Sequence, residues 1–248
     1  TAAVYTHRGP YKDTANEDAV AVISTPDGAT VLTVADGLGG LPSGDLASAL
    51  AIRSLTKCVH NAKENYLREA ILDGIELANR KILTLGNGAA TTLAVVEVRD
   101  DILRTYHVGD AGVLVTGQRG RRHLQTVPHS PTGYAQEAGI INESEALGHV
   151  QRNLVSNVVG SHDLRIESGS LFRLAPRDTV VVASEGLFDH LVSEEVIVHV
   201  RGGGLHQAAS FLVVESKARM EGCNSENVCG HPDDISFVLY RPCKATKP

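Results

Sequence analysis

The stretch TVLTVADGLGG, residues 30–40, decides the fold. Its first part, Thr30 to Ala35, is mostly apolar and rich in β-branched side chains, which predicts a buried strand. Asp36 follows directly, and Gly37 comes after it, so that a carboxylate stands where the strand ends. A buried carboxylate is costly unless a counter-charge compensates it, and glycine lets a backbone carbonyl approach equally closely. The stretch therefore predicts a cation at the end of a core strand.

Other acids occupy the same kind of position elsewhere in the chain. Strand-like runs lead into Asp110 and Glu185, while Glu17-Asp18 and Asp233-Asp234 each precede such a run. A single Asp-Gly is typical of an ordinary turn, but the whole set indicates a shared centre. Carboxylates and carbonyls are ligands of hard divalent ions such as Mg²⁺ or Mn²⁺, and no histidine–cysteine cluster competes for zinc. The residues thus predict a divalent-cation centre.

The order of elements predicts an α+β layered sandwich, because helices are segregated from hairpin-like strands and do not alternate with them. Helical spacing appears from about Gly44 to Leu85, as two helices, and from Ser193 to Met220 with a glycine break. The polar segment at about 129–153 is interpreted as an inserted flap subdomain of a single domain, 1–248. The strand-like runs are Ala19 to Ile23, Thr30 to Ala35, Thr91 to Val98, Ile102 to Val108, Gly112 to Thr116, Thr179 to Ala183 and Ile235 to Tyr240.

Composition excludes several classes of function. A net charge of -6, 4% aromatic residues and no tryptophan disfavour nucleic-acid binding, although a local basic patch is compatible with them. No apolar run reaches the roughly 18 residues of a membrane span, so we expect no membrane contact in this segment. The four cysteines contain no CxxC pair, which favours reduced thiols. A zinc site, or a bridge between Cys223 and Cys229, is the alternative.

Taken in order, these residues resemble the PPM-type, metal-dependent protein phosphatases (the protein phosphatase 2C class) in their compact bacterial form. Each match alone is weak, and their order along nearly the whole chain makes the resemblance specific. The matching stretches are Asn16 to Ala19, Ala35 to Gly40, Ala90 to Leu93, His107 to Asp110, Pro128 to Ser130, Leu154 to Gly160, Ala183 to Asp189 and Asp233 to Phe237.

The resemblance implies a fold and an activity. The fold is a four-layer α/β/β/α sandwich, with two central, mainly antiparallel sheets flanked by helix pairs and a flap insertion. The activity is hydrolysis of phosphoserine and phosphothreonine in proteins through a metal-activated water, with no phosphoenzyme. The implied protein is a cytoplasmic monomer that counteracts a bacterial protein kinase, and its partner is a phosphorylated protein, either a kinase or a kinase substrate.

The resemblance also assigns roles to the acids near the first two motifs. Asp36 would bridge two core ions, Mn²⁺ or Mg²⁺. Glu17 and the carbonyl of Gly37 would serve one of these ions, and Asp18 would hold metal-bound waters. Leu38 stands where some members carry a histidine that acts as general acid, so the resemblance implies that a metal-bound water protonates the leaving group instead.

The second core ion would be bound by Glu185 and Asp233, and Asp110 with Glu185 would contribute to a weaker third site. Glu185 departs from the family pattern, because the Ser-Asp-Gly motif usually has Asp at this position. Its carboxylate reaches one methylene further, which can change the position or affinity of the ions. A degenerate, catalytically weak member that acts as a phosphoprotein-binding module is therefore the alternative function, and a small-metabolite phosphoesterase is a weaker one.

The phosphate-holding arginine that the family usually has before the first acidic motif is missing. Lys12 and Arg8 are the candidates for substrate binding, and Lys12 is the one we assign to the phosphate, although a solvated surface lysine fits the sequence equally well. Lysine is a point charge, whereas arginine grips phosphate as a bidentate fork, so we expect weaker binding. His129 and His149 fall in the flap, and we interpret both as local structure.

Overall fold

The computed structural model describes residues 1–222 and 232–242. The strands are β1 Ala2–His7, β2 Asp18–Ser24, β3 Thr30–Asp36, β4 Leu93–Arg99, β5 Ile102–Val108, β6 Gly112–Thr116, β7 Arg122–Gln125, β8 Glu167–Ser168, β9 Phe172–Arg173, β10 Thr179–Ala183 and β11 Ile235–Tyr240. The helices are α1 Gly44–His60, α2 Leu67–Thr84, α3 Pro131–Glu137, α4 Glu143–Leu147, α5 Glu185–Phe188, α6 Ser193–Val200 and α7 Leu205–Glu221.

The strands form two sheets. The first sheet has the order β1-β11-β10-β6-β7, and the second has the order β2-β3-β4-β5-β8, with β9 also pairing with β5. Every pairing between the named strands is antiparallel. The expectation of two mainly antiparallel sheets is therefore confirmed.

Three hydrophobic layers hold the sheets and helices together. The middle layer lies between the sheets, where Val96 of the second sheet and Val182 of the first belong to one cluster. The outer face of the second sheet packs on α1 and α2 through side chains such as Ile71, and the first sheet packs on α6 and α7 through side chains such as Leu212. Strands covered on both faces explain the continuous apolar runs in the sequence. The four-layer sandwich is confirmed.

Element boundaries follow the sequence pattern closely, with one instructive exception. The predicted strand from Thr91 begins only at Leu93, because Thr91 instead forms bridges with Gly37 and Val159. Strands β1, β7, β8 and β9 were not anticipated. Strands β1 and β7 lie at the two edges of the first sheet and β8 lies at an edge of the second, and an edge strand does not need the long apolar run of a central one.

The segment between β7 and β8 contains the two short helices α3 and α4. Asn142 caps α4 in a capping box, with Glu145 as its partner. The Glu143 carboxylate ties this segment to α6, since its Oε1 accepts a hydrogen bond from the Ser193 amide at 3.0 Å. The insertion lies where the flap was expected, and its status as a subdomain of a single domain stays a prediction.

Two sequence expectations concern cysteines and membranes. Cys58 carries a free thiol, whereas Cys223, Cys229 and Cys243 lie outside the described residues, so that the alternative bridge or zinc site does too. Among the helices of the described part of the chain, none has the length and apolar character needed to cross a bilayer.

Candidate active site

The sheet topology brings the strand-end acids to one edge of the sandwich. Strands β2 and β3 are antiparallel neighbours, and their register sets Asp18 directly opposite Asp36. Asp110 follows β5, and Glu185 follows β10 as the first residue of α5. Asp233 precedes β11, which lies beside β10 in the first sheet. Acids that are far apart in the sequence thus face a common space between the sheet ends.

Three of these acids are in direct reach of one another. Carboxylate oxygens of Asp36, Glu185 and Asp233 all lie within 4.8 Å of each other. The Glu185 amide also donates a hydrogen bond to Asp36 Oδ2 at 3.3 Å, which joins the two sheets at this point. The extra methylene of Glu185 therefore does not remove its carboxylate from the centre.

Burial and mutual repulsion make it unfavourable for these carboxyl groups to be ionised when no counter-charge is present. Burial, followed by the charges of Asp18 and Asp233, raises the pKa of Asp36 well above its ordinary range. Burial and the nearby Asp110 do the same to the pKa of Glu185. The pKa of Asp110 rises to about 7, because the group is buried and Asp189 is close. Such a cluster of raised values marks a functional site.

Unpaired buried oxygens test whether a divalent cation fits this centre. Among the described residues, both carboxylate oxygens of Asp110 and Oδ1 of Asp18 are buried without a hydrogen-bond partner. The other oxygen of Asp18 accepts a hydrogen bond from Ser184 Oγ at 2.9 Å. Orphaned buried carboxylate oxygens are rare in proteins, and an all-oxygen donor set suits Mg²⁺ or Mn²⁺. The residues present fit such ions.

Gly37 is required by a close approach of three backbone segments. Its amide donates a hydrogen bond to the Glu17 carbonyl at 3.1 Å, and a Cβ at this position would overlap the carbonyl group of Gly44. Any larger residue would therefore push α1 or the Glu17 segment away. The glycine thus allows Glu17 and the end of β3 to line the same cleft.

Lys12 lies inside the centre and Arg8 does not. Lys12 Nζ is 2.9 Å from Asp234 Oδ2 and 3.4 Å from both Glu17 Oε2 and Asp233 Oδ1. Burial disfavours its charge, but the Asp234 hydrogen bond and the neighbouring carboxylates outweigh this effect, so that the pKa of Lys12 is raised. Arg8 is exposed and is absent from the described lining of the cleft.

Asp234 anchors the loop that carries Lys12 and Glu17. Its carboxylate is 2% exposed and accepts hydrogen bonds from the Gly9 amide at 2.8 Å, from the Glu17 amide at 2.8 Å and from Lys12 Nζ. The neighbouring acid, Asp233, was given a role from the sequence, but Asp234 was not. The contacts of Asp234 join it to residues more than two hundred positions away in the sequence. No local sequence pattern predicts such contacts.

The acids form the floor of a cleft of about 550 Å³. The inserted segment supplies part of the wall, including Leu147 and Arg152. Arg152 donates to the Leu147 carbonyl at 3.1 Å, and its Nε lies 4.0 Å from Asp189 Oδ2. Sequence reasoning missed both Arg152 and Asp189. The one available signal was spacing, because Asp189 lies four residues after Glu185 on a helical turn.

The flap histidines serve local structure, as expected. His129 Nδ1 lies 3.1 Å from the Gly109 amide, which can only donate, so the ring hydrogen sits on Nε2 and points to Glu167 Oε2. Although His107, His129 and Glu167 are close enough to hold an ion, this tautomer leaves Nε2 of His129 no lone pair for one. His149 Nδ1 accepts a hydrogen bond from the nearby Gln151 amide.

Comparison with known proteins agrees with this geometry. A putative protein phosphatase 2C-type of Streptococcus pyogenes is 26% identical over 237 residues, 90% of each chain. The protein phosphatase PhpP of Streptococcus pneumoniae is 29% identical over 195 residues, 75% of this chain and 78% of PhpP.

Solved structures match over almost the whole chain. The S. agalactiae serine/threonine phosphatase has a TM-score of 0.82 at 25% identity, covering 98% of this chain and 99% of that one. Stp1 from Staphylococcus aureus shares the fold, with a TM-score of 0.83 at 21% identity over 98% of this chain and 94% of that one. The family model described as Protein phosphatase 2C matches residues 7–211. The chain therefore belongs to the protein phosphatase 2C family.

Proposed function

We propose that the chain hydrolyses phosphoserine and phosphothreonine in protein substrates, using Mn²⁺ or Mg²⁺ bound by the strand-end acids. The observation that carries this proposal is the convergence of Asp36, Glu185 and Asp233 within 4.8 Å on the floor of a cleft. Membership of a family of metal-dependent protein phosphatases supports it, as do the names of relatives such as PhpP.

The proposed centre has two core ions and a weaker third. More than one ion is proposed because the carboxylates are buried and repel one another, and some of their oxygens have no hydrogen-bond partner among the described residues. The proposed ligands are Asp36 for both core ions, Glu17 and the Gly37 carbonyl for one, Glu185 and Asp233 for the other, and Asp110 with Glu185 for the third.

Divalent ions bound here would supply Lewis acidity, acidifying a water molecule and attracting the phosphate oxygens. The chain itself orients the participants. Oδ1 of Asp18 has no partner, so it can accept a hydrogen bond from a water molecule, while Ser184 Oγ fixes the other oxygen of the same carboxylate. Direct hydrolysis by a water molecule, without a phosphoenzyme, is part of the proposal.

Two cations of the cleft are proposed to face the substrate phosphate. Lys12 stands among the acids and keeps its charge, since the carboxylates around it raise its pKa. Arg152 stands on the wall supplied by the inserted segment, where its contact with the Asp189 carboxylate is long, at 4.0 Å. Arg8 is not among the described residues that line the cleft, which gives no support to its assignment to substrate binding.

A degenerate binding module is not favoured, because Glu185 keeps its carboxylate within reach of Asp36 and Asp233. An opposing bacterial protein kinase, a monomeric state and a cytoplasmic location complete the proposal, as predictions from the family resemblance. The phosphorylated partner would be a kinase or a kinase substrate.

The test is metal-dependent turnover by purified protein. We expect hydrolysis of an aryl phosphate and of a phosphothreonine peptide with Mn²⁺ or Mg²⁺, none with EDTA, and loss of activity in Asp36→Asn. The exposed Asp73→Asn serves as the matched control. Faster turnover of sugar phosphates than of phosphopeptides would favour a metabolite phosphoesterase. Tight phosphopeptide binding without phosphate release from either substrate would refute the proposal.

A further inference from the structure

Five arginines gather at the end of the first sheet that lies away from the acids. Here they are called the arginine cluster: Arg119, Arg121, Arg177, Arg201 and Arg241. Strand β6 begins two residues after Asp110 and ends at Thr116, just before the turn that carries Arg119 and Arg121. A strand of 5 residues is about 17 Å long, so the cluster and the cleft lie at opposite ends of the same strand.

Contacts show that the cluster is continuous. Arg177 Nη1 donates to the side chain of Gln118 at 3.3 Å, which places it beside the turn. Arg201 Cδ lies 3.5 Å from the position of a Cβ on Gly120, in the middle of that turn. Arg241 is fixed by the carbonyls of residues 200 and 203. Burial, and then the charge of Arg177, lowers the pKa of Arg241, so these two guanidinium groups are close enough to repel.

The cluster is uncompensated in a protein that is acidic as a whole. Some arginines elsewhere pair with acids, as Arg99 does with Asp27 and Arg219 with Glu195. Within residues 1–222 and 232–242, no member of the cluster forms an ion pair, and the partners of Arg177 and Arg241 are neutral oxygens. The net charge of the chain is nevertheless -6. A concentration of unpaired positive charge on such a chain indicates an anionic partner.

Arg177 adds a conformational observation. Its φ of 86° lies in the left-handed region, where a side chain crowds the backbone and glycine is preferred. The turn is held by the Asp178 carboxylate, which accepts a hydrogen bond from the Ala175 amide at 2.8 Å. An exposed arginine held in a strained turn suggests a role for its side chain.

We propose that the arginine cluster is a docking site for a phosphorylated, acidic segment of a protein partner, separate from the catalytic cleft. This inference rests on the proposed function insofar as the partner is taken to be a phosphoprotein. Arginine suits this ligand because its planar fork binds phosphate through two hydrogen bonds. A phosphopeptide is favoured over a membrane surface, because the guanidinium group of Arg177, held beside Gln118, suits a defined phosphate position.

The proposal has a geometric consequence for substrates. An extended chain spans about 3.3–3.6 Å for each residue, so a segment needs at least about five residues to cover the roughly 17 Å length of β6 that separates the arginine cluster from the cleft. A substrate that carries a second phosphate at this distance from the scissile phosphate can occupy both sites at once, and its affinity rises because the second contact is intramolecular. A second phosphate placed only three residues away gains nothing from the cluster.

Binding is tested with the triple variant Arg119→Gln, Arg121→Gln, Arg201→Gln. None of these side chains makes a hydrogen bond with another described residue, so folding should be unaffected, and far-ultraviolet circular dichroism checks this. The matched control removes three exposed charges on the α1–α2 side: Arg53→Gln, Lys63→Gln, Arg68→Gln. The probe is a fluorescein-labelled acidic peptide with two phosphoserines, followed by anisotropy in EDTA so that no turnover occurs.

We expect the triple variant to bind this peptide at least about tenfold more weakly than wild type, as expected for the loss of charge-assisted hydrogen bonds, with the control unchanged. Added salt should weaken wild-type binding. Equal loss in both variants, no loss in either, or stronger binding to phosphatidylserine vesicles than to the peptide would overturn the proposal. Aryl-phosphate turnover should be the same in all three proteins, so that a failure of docking is distinct from a failure of the proposed function.

Discussion

Replacing Asp110 by Asn should stabilise the protein when divalent ions are removed, although it deletes a proposed ligand. Asp110 is 8% exposed as a whole residue, and both of its carboxylate oxygens are buried without a partner among the described residues. Its pKa rises from the ordinary 3.8 to about 7. At about 1.4 kcal/mol for each pH unit, the ionised group costs the folded state about 4 kcal/mol. Because the Asn amide is left unpaired at a cost of about 1–3 kcal/mol, we expect a net gain of about 1–3 kcal/mol.

The direction of the pH dependence follows from the raised pKa. The folded protein binds this proton more tightly than the unfolded chain, so the stability it contributes is fully present below pH 3.8 and is lost as pH rises through about 7. Burial also raises the pKa of Asp18 to about 7, and the charges of Asp233 and Asp234 add to this effect. Metal-free wild type should therefore lose stability between about pH 5 and pH 8, and Asp110→Asn should lose less.

Urea unfolding in EDTA, followed by circular dichroism at several pH values, measures these free energies. Asp73→Asn is the control, because it removes an exposed carboxylate on α2. Saturating Mn²⁺ should reverse the order of stability, since ligand binding stabilises wild type more than a variant that lacks a ligand. A metal-free wild type whose stability is constant or rises from about pH 5 to pH 8 would refute the reasoning, as would a less stable metal-free Asp110→Asn at the upper pH.

Three further predictions concern the anchor, the turn and the cations of the site. Asp234→Ala should lower the free energy of unfolding by about 3–5 kcal/mol, because it removes the buried carboxylate that binds Lys12 and the amides of Gly9 and Glu17. Urea unfolding measures this free energy, and a loss below about 1 kcal/mol would contradict the prediction. Gly109→Ala should lower the free energy of unfolding by about 1–3 kcal/mol, because φ is 92° and the new Cβ would lie 2.7 Å from the Thr92 side chain. Thermal unfolding measures this loss, and an exposed Gly28→Ala control separates the effect of crowding from that of the backbone conformation. If Arg152 holds the phosphate, Arg152→Met should raise KM for an aryl phosphate several-fold more than Lys12→Met does. Steady-state kinetics measures both KM values, and a larger increase in Lys12→Met would assign the phosphate to the lysine.

The sequence predicts which residues form the site because the acids lie at strand ends, and strand ends are local features. Hydrophobic runs mark β3, β5 and β10 directly, so that the positions of Asp36, Asp110 and Glu185 relative to them can be read without a structure. The pairing of Asp18 with Asp36 cannot be read in this way. It depends on the register of β2 against β3, and a shift by one residue would turn the side chains to the opposite face.

Contacts across the layers are beyond the reach of sequence patterns. Lys12 and Arg8 could not be separated by spacing alone, but the fold distinguishes them, because Asp234 binds the loop that turns Lys12 inward. Arg152 enters the cleft only because the inserted segment folds back over α5, where its guanidinium meets Asp189. Neither residue lies in a periodic run, and each owes its position to a partner far along the chain.

Glu185 shows why a changed side-chain length need not change the centre. The residue opens α5, and its amide is fixed by the bond to Asp36, so the backbone position is set independently of the side chain. A longer carboxylate that starts from a fixed backbone must then reach further across the cleft, and burial together with the nearby charges of Asp110 and Asp189 raises its pKa. The same carboxylate remains within 4.8 Å of the oxygens of Asp36 and Asp233. The added methylene thus extends the reach of Glu185 toward Asp189 without loss of the core contacts. It follows that glutamate at this position should alter the proposed third ion near Asp110 before it alters the two proposed core ions.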